Sequence, residues 1–67
     1  MSLVDKVAAR IKTLRERRGM TQEVLAAKAG ISRAYLARVE TVRHEPTLTT
    51  LEKLAKALRV KVGRLLE

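Results

Sequence analysis

TQEVLAAKAGISRAYLARVE, residues 21–40, decides the fold. Thr21 is a good helix N-cap, and Gln22 and Glu23 follow it in the first turn. Leu25, Ala26 and Ala29 then recur at helical spacing. Gly30 takes without penalty the left-handed backbone that ends a helix sharply. Ile31 fills the corner, and Ser32 caps a second helix whose apolar positions are Tyr35, Leu36 and Val39. The opposite face of that helix carries Arg33, Ala34, Ala37 and Arg38.

Two short helices joined in this way predict a helix-turn-helix. Such helices cross closely, so the crossing needs a small side chain, and Ala26 supplies it. Upstream, Ser2 with Asp5 three residues later opens a first helix as a partial capping box. Val4, Val7, Ala8, Ile11 and Leu14 form its apolar stripe, and Gly19 should stop it near Arg18. Met20 is expected to plug the core between helices one and two. Downstream, TVRHEP (residues 41–46) is a connection, and Pro46 disfavours helix at the residue before it. Thr47 caps a fourth helix with the stripe Leu48, Leu51, Leu54, Ala55 and Leu58, while Lys53 and Lys56 lie away from it. In the tail RVKVGRLLE (residues 59–67), Val60, Val62, Leu65 and Leu66 suit a short fifth helix, although Gly63 lowers its propensity. The expectation is one all-α domain of four to five short helices over residues 1–67.

Composition narrows the function. A chain of 67 residues without cysteine buries a thin core with no disulfide or thiolate-metal staple. Fifteen Lys and Arg against seven Asp and Glu give a net charge of +8, which favours a polyanionic partner over a merely solvated surface. No apolar run approaches the roughly 20 residues that span a bilayer, and no secretory pattern is visible, so a cytoplasmic, nucleoid-associated protein is expected. Enzymatic readings are poor. There is one histidine, and the carboxylates are dispersed singly. Nothing has the form of a phosphate loop, a metal-ligand cluster or a nucleophile with its base, so no catalytic residue, metal or cofactor is expected.

The 21–40 stretch resembles the DNA-binding motif of the phage repressor and Cro family, the XRE-type regulators. The flanks RERRGMTQ (residues 15–22) and EPTLTTLEKLAKAL (residues 45–58) extend the resemblance over nearly the whole chain. It implies a lambda-repressor-like domain that binds double-stranded DNA, with the helix over residues 32–40 in the major groove. Arg33, Ala34 and Arg38 fall where family members contact bases. Arginine can grip guanine O6 and N7 with two hydrogen bonds, and alanine can touch a thymine methyl. Phosphate contacts are implied for Gln22 and the loop residues Arg43 and His44. Thr21 and Ser32, at helix N-termini that present free N–H groups to anions, are further candidates, as is Tyr35, whose ring can stack on a base or whose hydroxyl can donate to phosphate. Tyr35 is equally suited to partial core packing with its hydroxyl at the rim. Arg15 and Glu40 align with a structural ion pair of the family. Relatives usually carry glycine where Arg59 stands and a capping Ser or Thr where Lys61 stands, and often glycine at the position of Val42.

A stand-alone regulator similar to restriction–modification controller proteins is therefore expected, with no small-molecule ligand. One recognition helix reads only a few base pairs, so a homodimer on a near-palindromic operator is expected. Val60, Val62, Leu65 and Leu66 are the expected interface, the alternative being that the tail closes the monomer's own core. The rival function is an antitoxin-type interaction module that also represses its own operon. An extra arm for wrapping a toxin would distinguish it, and none is visible.

Overall fold

A computed structural model describes residues 2–67 as five helices: α1 (Leu3–Arg17), α2 (Gln22–Ala29), α3 (Arg33–Glu40), α4 (Leu48–Ala57) and α5 (Val62–Leu66). Four of the five begin on a side-chain cap. In α1 the capping box is complete: Ser2 Oγ accepts from Asp5 N at 3.2 Å, and Asp5 Oδ2 accepts from Ser2 N at 3.3 Å. Thr21, Ser32 and Thr47 each accept from the backbone N–H three residues on, at 3.1, 3.0 and 3.1 Å. Such a cap is worth about 1 kcal/mol against alanine. Lys61, the corresponding residue of α5, makes no capping bond.

The first four helices end in one recurring form. A residue in left-handed backbone closes the turn, and the next residue's N–H reaches back to a carbonyl five positions earlier. Met20 N donates to Arg15 O at 3.0 Å, Ile31 N to Ala26 O at 3.0 Å, Arg43 N to Arg38 O at 2.8 Å and Val60 N to Ala55 O at 2.9 Å. The left-handed residues are Gly19, Gly30, Val42 and Arg59, with φ of 68°, 72°, 60° and 59°. The two glycines suit that backbone; Val42 and Arg59 crowd their Cβ against it, and valine, being β-branched, crowds most.

The helices converge on an aliphatic core in which Ile11, Leu25, Leu36, Leu54, Leu58 and Leu65 have no exposed surface. Burying each such side chain contributes about 1.5–3 kcal/mol. α2 packs against α3 and α4, α1 against α3, and α5 against α1 and α4. Ala26 is buried beneath the α2–α3 corner, and Met20 and Ile31 pack half-buried against the core as corner plugs.

Two expectations about the core need correction. Leu48, assigned to the inner stripe of α4, is 63% exposed, because the first turn of that helix projects past the core. Leu65, assigned to a partner interface, has 0% exposure. The fifth helix forms despite Gly63, and this thin core takes Leu65 for itself. Val60 and Val62 are partly covered against the same core, and Leu66 alone of the four projects, at 38% exposure.

Candidate nucleic-acid interface

α3 is locked on one side and open on the other. Leu36 and Val39 are buried, while Arg33, Ala34 and Arg38 stand exposed on the outer face. Ala34, Ala37, Arg38, Thr41 and Arg43 line one shallow concavity, so the loop after α3 continues the surface of the helix. Val42 in left-handed backbone turns the chain there and delivers Arg43 onto that surface. Thr21 and Ser32 sit at the N-termini of α2 and α3, each holding its own helix start with its hydroxyl oxygen.

Beneath this face runs a hydrogen-bonded chain that starts in the core. Arg15 Nε donates to Glu40 Oε2 at 2.7 Å and Arg15 Nη2 to Glu40 Oε1 at 3.0 Å, a two-pronged ion pair whose side chains are 10% and 2% exposed. Arg15 Nη1 also donates to the Met20 carbonyl at 2.8 Å, so the pair ties the α1–α2 corner to the end of α3. The hydrogen bond to Glu40 raises the guanidinium's pKa above its ordinary value, against the opposing effect of burial. What that raised pKa contributes to stability is fully present wherever an unfolded arginine is protonated and is lost only as pH rises through the folded value.

Glu40 Oε1 also accepts from Gln22 Nε2 at 3.0 Å, which points the amide oxygen of Gln22 outward. There it accepts from Arg33 Nη1 at 3.3 Å. Arg15, Glu40, Gln22 and Arg33 are thus one connected set. The sequence offered no signal for its last two links, because the amide's orientation depends on where Glu40 sits in three dimensions.

Tyr35 is half-buried. Its hydroxyl donates to Thr50 Oγ1 at 3.4 Å, a long contact that bridges α3 and the start of α4. The exposed His44 ring packs edge-on against it with centroids 4.9 Å apart. Val60, Val62, Leu65 and Leu66 lie elsewhere, on the α4–α5 corner and α5. Among the described residues, no group of three or more His, Asp or Glu could hold a metal ion, and no helix is long and apolar enough to cross a membrane.

Residues 11–65 match the family model described as helix-turn-helix (HTH_3), and the chain belongs to that family. The immunity repressor protein of Bacillus phage phi105 is 49% identical over 57 residues, an alignment that covers 85% of this chain and 40% of the repressor. The chain therefore spans less than half the length of that relative. The restriction–modification controller protein C.AhdI from Aeromonas hydrophila superposes with a TM-score of 0.90 at 34% identity, over 92% of this chain and 94% of the controller. The biofilm master regulator SinR, solved in complex with DNA, superposes with a TM-score of 0.86 at 35% identity, over 91% of this chain and 98% of the SinR chain in that structure.

Proposed function

We propose that this protein is a sequence-specific, double-stranded-DNA-binding transcriptional regulator that inserts α3 into the major groove. The observation that carries the reading is the two-sided build of α3: an anchored inner face, and an outer face presenting Arg33, Ala34 and Arg38 beside Arg43. The likeness to SinR, whose structure holds DNA, supports it. Arg33 and Arg38 read base edges, and Ala34 leaves room for a thymine methyl. Arg43, His44 and the helix starts at Thr21, Gln22 and Ser32 hold the phosphate backbone. Tyr35 supports the surface from beneath and adds a phosphate contact only if its hydroxyl leaves Thr50. Arg15 and Glu40 hold the frame. The role is binding rather than catalysis, exercised on the DNA of the cytoplasm.

A homodimer on a near-palindromic site belongs to this reading, with its seat moved. Leu65 is unavailable, and pairing through Val60 and Val62 would set Lys56, Lys61 and Arg64 of two copies against each other. The exposed Leu66 instead shares a shallow, mostly apolar groove with Leu3, Val4, Val7, Pro46 and Leu51, with Glu45 as its one charged lining residue, and the exposed Leu48 stands one turn before Leu51. A second copy seated there covers the large apolar side chains that project from this end of the molecule.

Selection from a randomised duplex pool tests the function. The expected result is an enriched, near-palindromic sequence whose affinity falls with log salt at roughly −0.9 per neutralised phosphate. A pool that stays random after selection contradicts it. Sedimentation of wild type and Leu66→Glu tests the dimer: the variant should be a folded monomer, and a wild type that is monomeric on and off DNA removes the claim.

A further inference from the structure

Of the 15 lysines and arginines, only Arg33, Arg38 and Arg43 lie on α3 and the loop that continues it. A second concentration occupies the far end of α4 and the corner beyond it. Between Glu52 and Glu67 the chain carries Lys53, Lys56, Arg59, Lys61 and Arg64 and no acid. All five are exposed. Among the described residues only Arg64 reaches a carboxylate, Glu67 at a loose 3.8 Å.

Three of them, Lys56, Lys61 and Arg64, join Lys6 and Arg10 of α1 in a track. Lys56 and Lys61 flank one shallow concavity, with Glu52 also on its rim, and Lys61 and Arg64 flank the next. The second shares Glu67 with a third, lined by Lys6 and Arg10 of α1. The three run together across α4, α5 and α1, and no α3 residue lines any of them. One position on the track, Lys61, and Arg59 just before it carry a cation at the expense of local stability. Arg59 holds a left-handed φ of 59° where glycine would be unstrained, and Lys61 occupies a helix N-cap without a capping bond.

Resting on the function proposed above, we infer that this track is a second, sequence-independent contact for the DNA phosphate backbone, so that one molecule engages two duplex segments. Its composition favours a duplex over an acidic protein. Lysine is depleted in protein interfaces, the track has no aromatic anchor, and its apolar lining is limited to Val60 and Val62, both half-buried, and the small side chains of Ala9 and Ala55. A regular line of phosphates needs only exposed cations.

The test uses two sets of substitutions, with binding to a short random-sequence duplex read by fluorescence anisotropy across a salt series. Arg33→Ala/Arg38→Ala/Arg43→Ala disables the α3 face, and residual salt-dependent binding should remain. Adding Lys56→Gln/Arg59→Gly/Lys61→Ser should weaken that remaining binding on the order of tenfold at low salt and flatten its slope by roughly 0.9 for each phosphate no longer neutralised. The last two changes relieve strain and supply a cap, so thermal melting should rise or hold, which separates weaker binding from a weaker fold. In an otherwise wild-type chain, the track substitutions should leave affinity for the operator unchanged. Random-duplex binding that ignores the track substitutions overturns the inference. So does a polyglutamate peptide that competes for the track as well as duplex of equal charge, since that assigns the track to an acidic protein. A wild type without operator preference defeats the proposed function instead and leaves the track measurement intact.

Discussion

The α2–α3 corner and the α4–α5 corner have the same backbone and different chemistry. Each runs from an alanine whose carbonyl takes the returning N–H, through a left-handed residue, to a half-buried apolar plug and then an N-cap: Ala26, Gly30, Ile31 and Ser32 in the first, Ala55, Arg59, Val60 and Lys61 in the second. The first corner obeys every local rule: glycine carries the positive φ, and serine bonds Tyr35 N at 3.0 Å. The second breaks two and still folds, because Leu58 and Leu65 on either side of it are fully buried. Burial of two leucines outweighs an adverse turn residue and a missing cap, each of about 1–2 kcal/mol. The corner that must aim α3 is fixed locally as well as by packing. The corner that only closes the core leaves its surface free for charge.

The largest expected effect lies in the ion pair that staples the α1–α2 corner to the end of α3. Glu40→Ala leaves the buried Arg15 guanidinium unpaired and also releases Gln22, so a loss of about 3–5 kcal/mol is expected in urea unfolding. Next, Gly30→Val should cost about 2 kcal/mol, because it imposes on the obedient corner the crowding that Val42 already bears after α3. The reverse change, Val42→Gly, should stabilise by about 1 kcal/mol after allowing for glycine's greater freedom when unfolded. A melting temperature that falls instead would mean that packing of the Val42 side chain outweighs its backbone strain. Smallest is Lys61→Ser, expected to add about 0.5–1 kcal/mol by capping α5. Equal stability in that variant would show that so short a helix is held by Leu65 alone.

These corners also show what the sequence could and could not disclose. The all-α class rests on apolar periodicity, and the caps at Ser2, Thr21, Ser32 and Thr47 and the stop at Gly30 rest on the local chemistry of those residue types. The outer face of α3 is legible for the same reason, since Leu36 and Val39 fix which side is inside. Leu48 misled because helical phase says which way a residue points and not whether the core reaches that far. Leu65 misled because apolar excess in a terminus marks a partner and a core equally well until the packing of α1 and α4 is known. The links from Glu40 through Gln22 to Arg33 cross three elements and depend on an amide's orientation, which no spacing encodes.

The central claim is that α3 reads bases through Arg33 and Arg38 and holds the backbone through Arg43. It is tested most directly by measuring affinity for the selected operator and for a scrambled duplex, at one salt concentration, with wild type, Arg33→Ala, Arg38→Ala and Arg43→Ala. The account predicts that Arg33→Ala and Arg38→Ala each lose about 1–3 kcal/mol on the operator and little on the scramble, whereas Arg43→Ala loses about equally on both. Equal losses on the two duplexes for Arg33→Ala and Arg38→Ala would contradict it and reassign the outer face of α3 to the phosphate backbone.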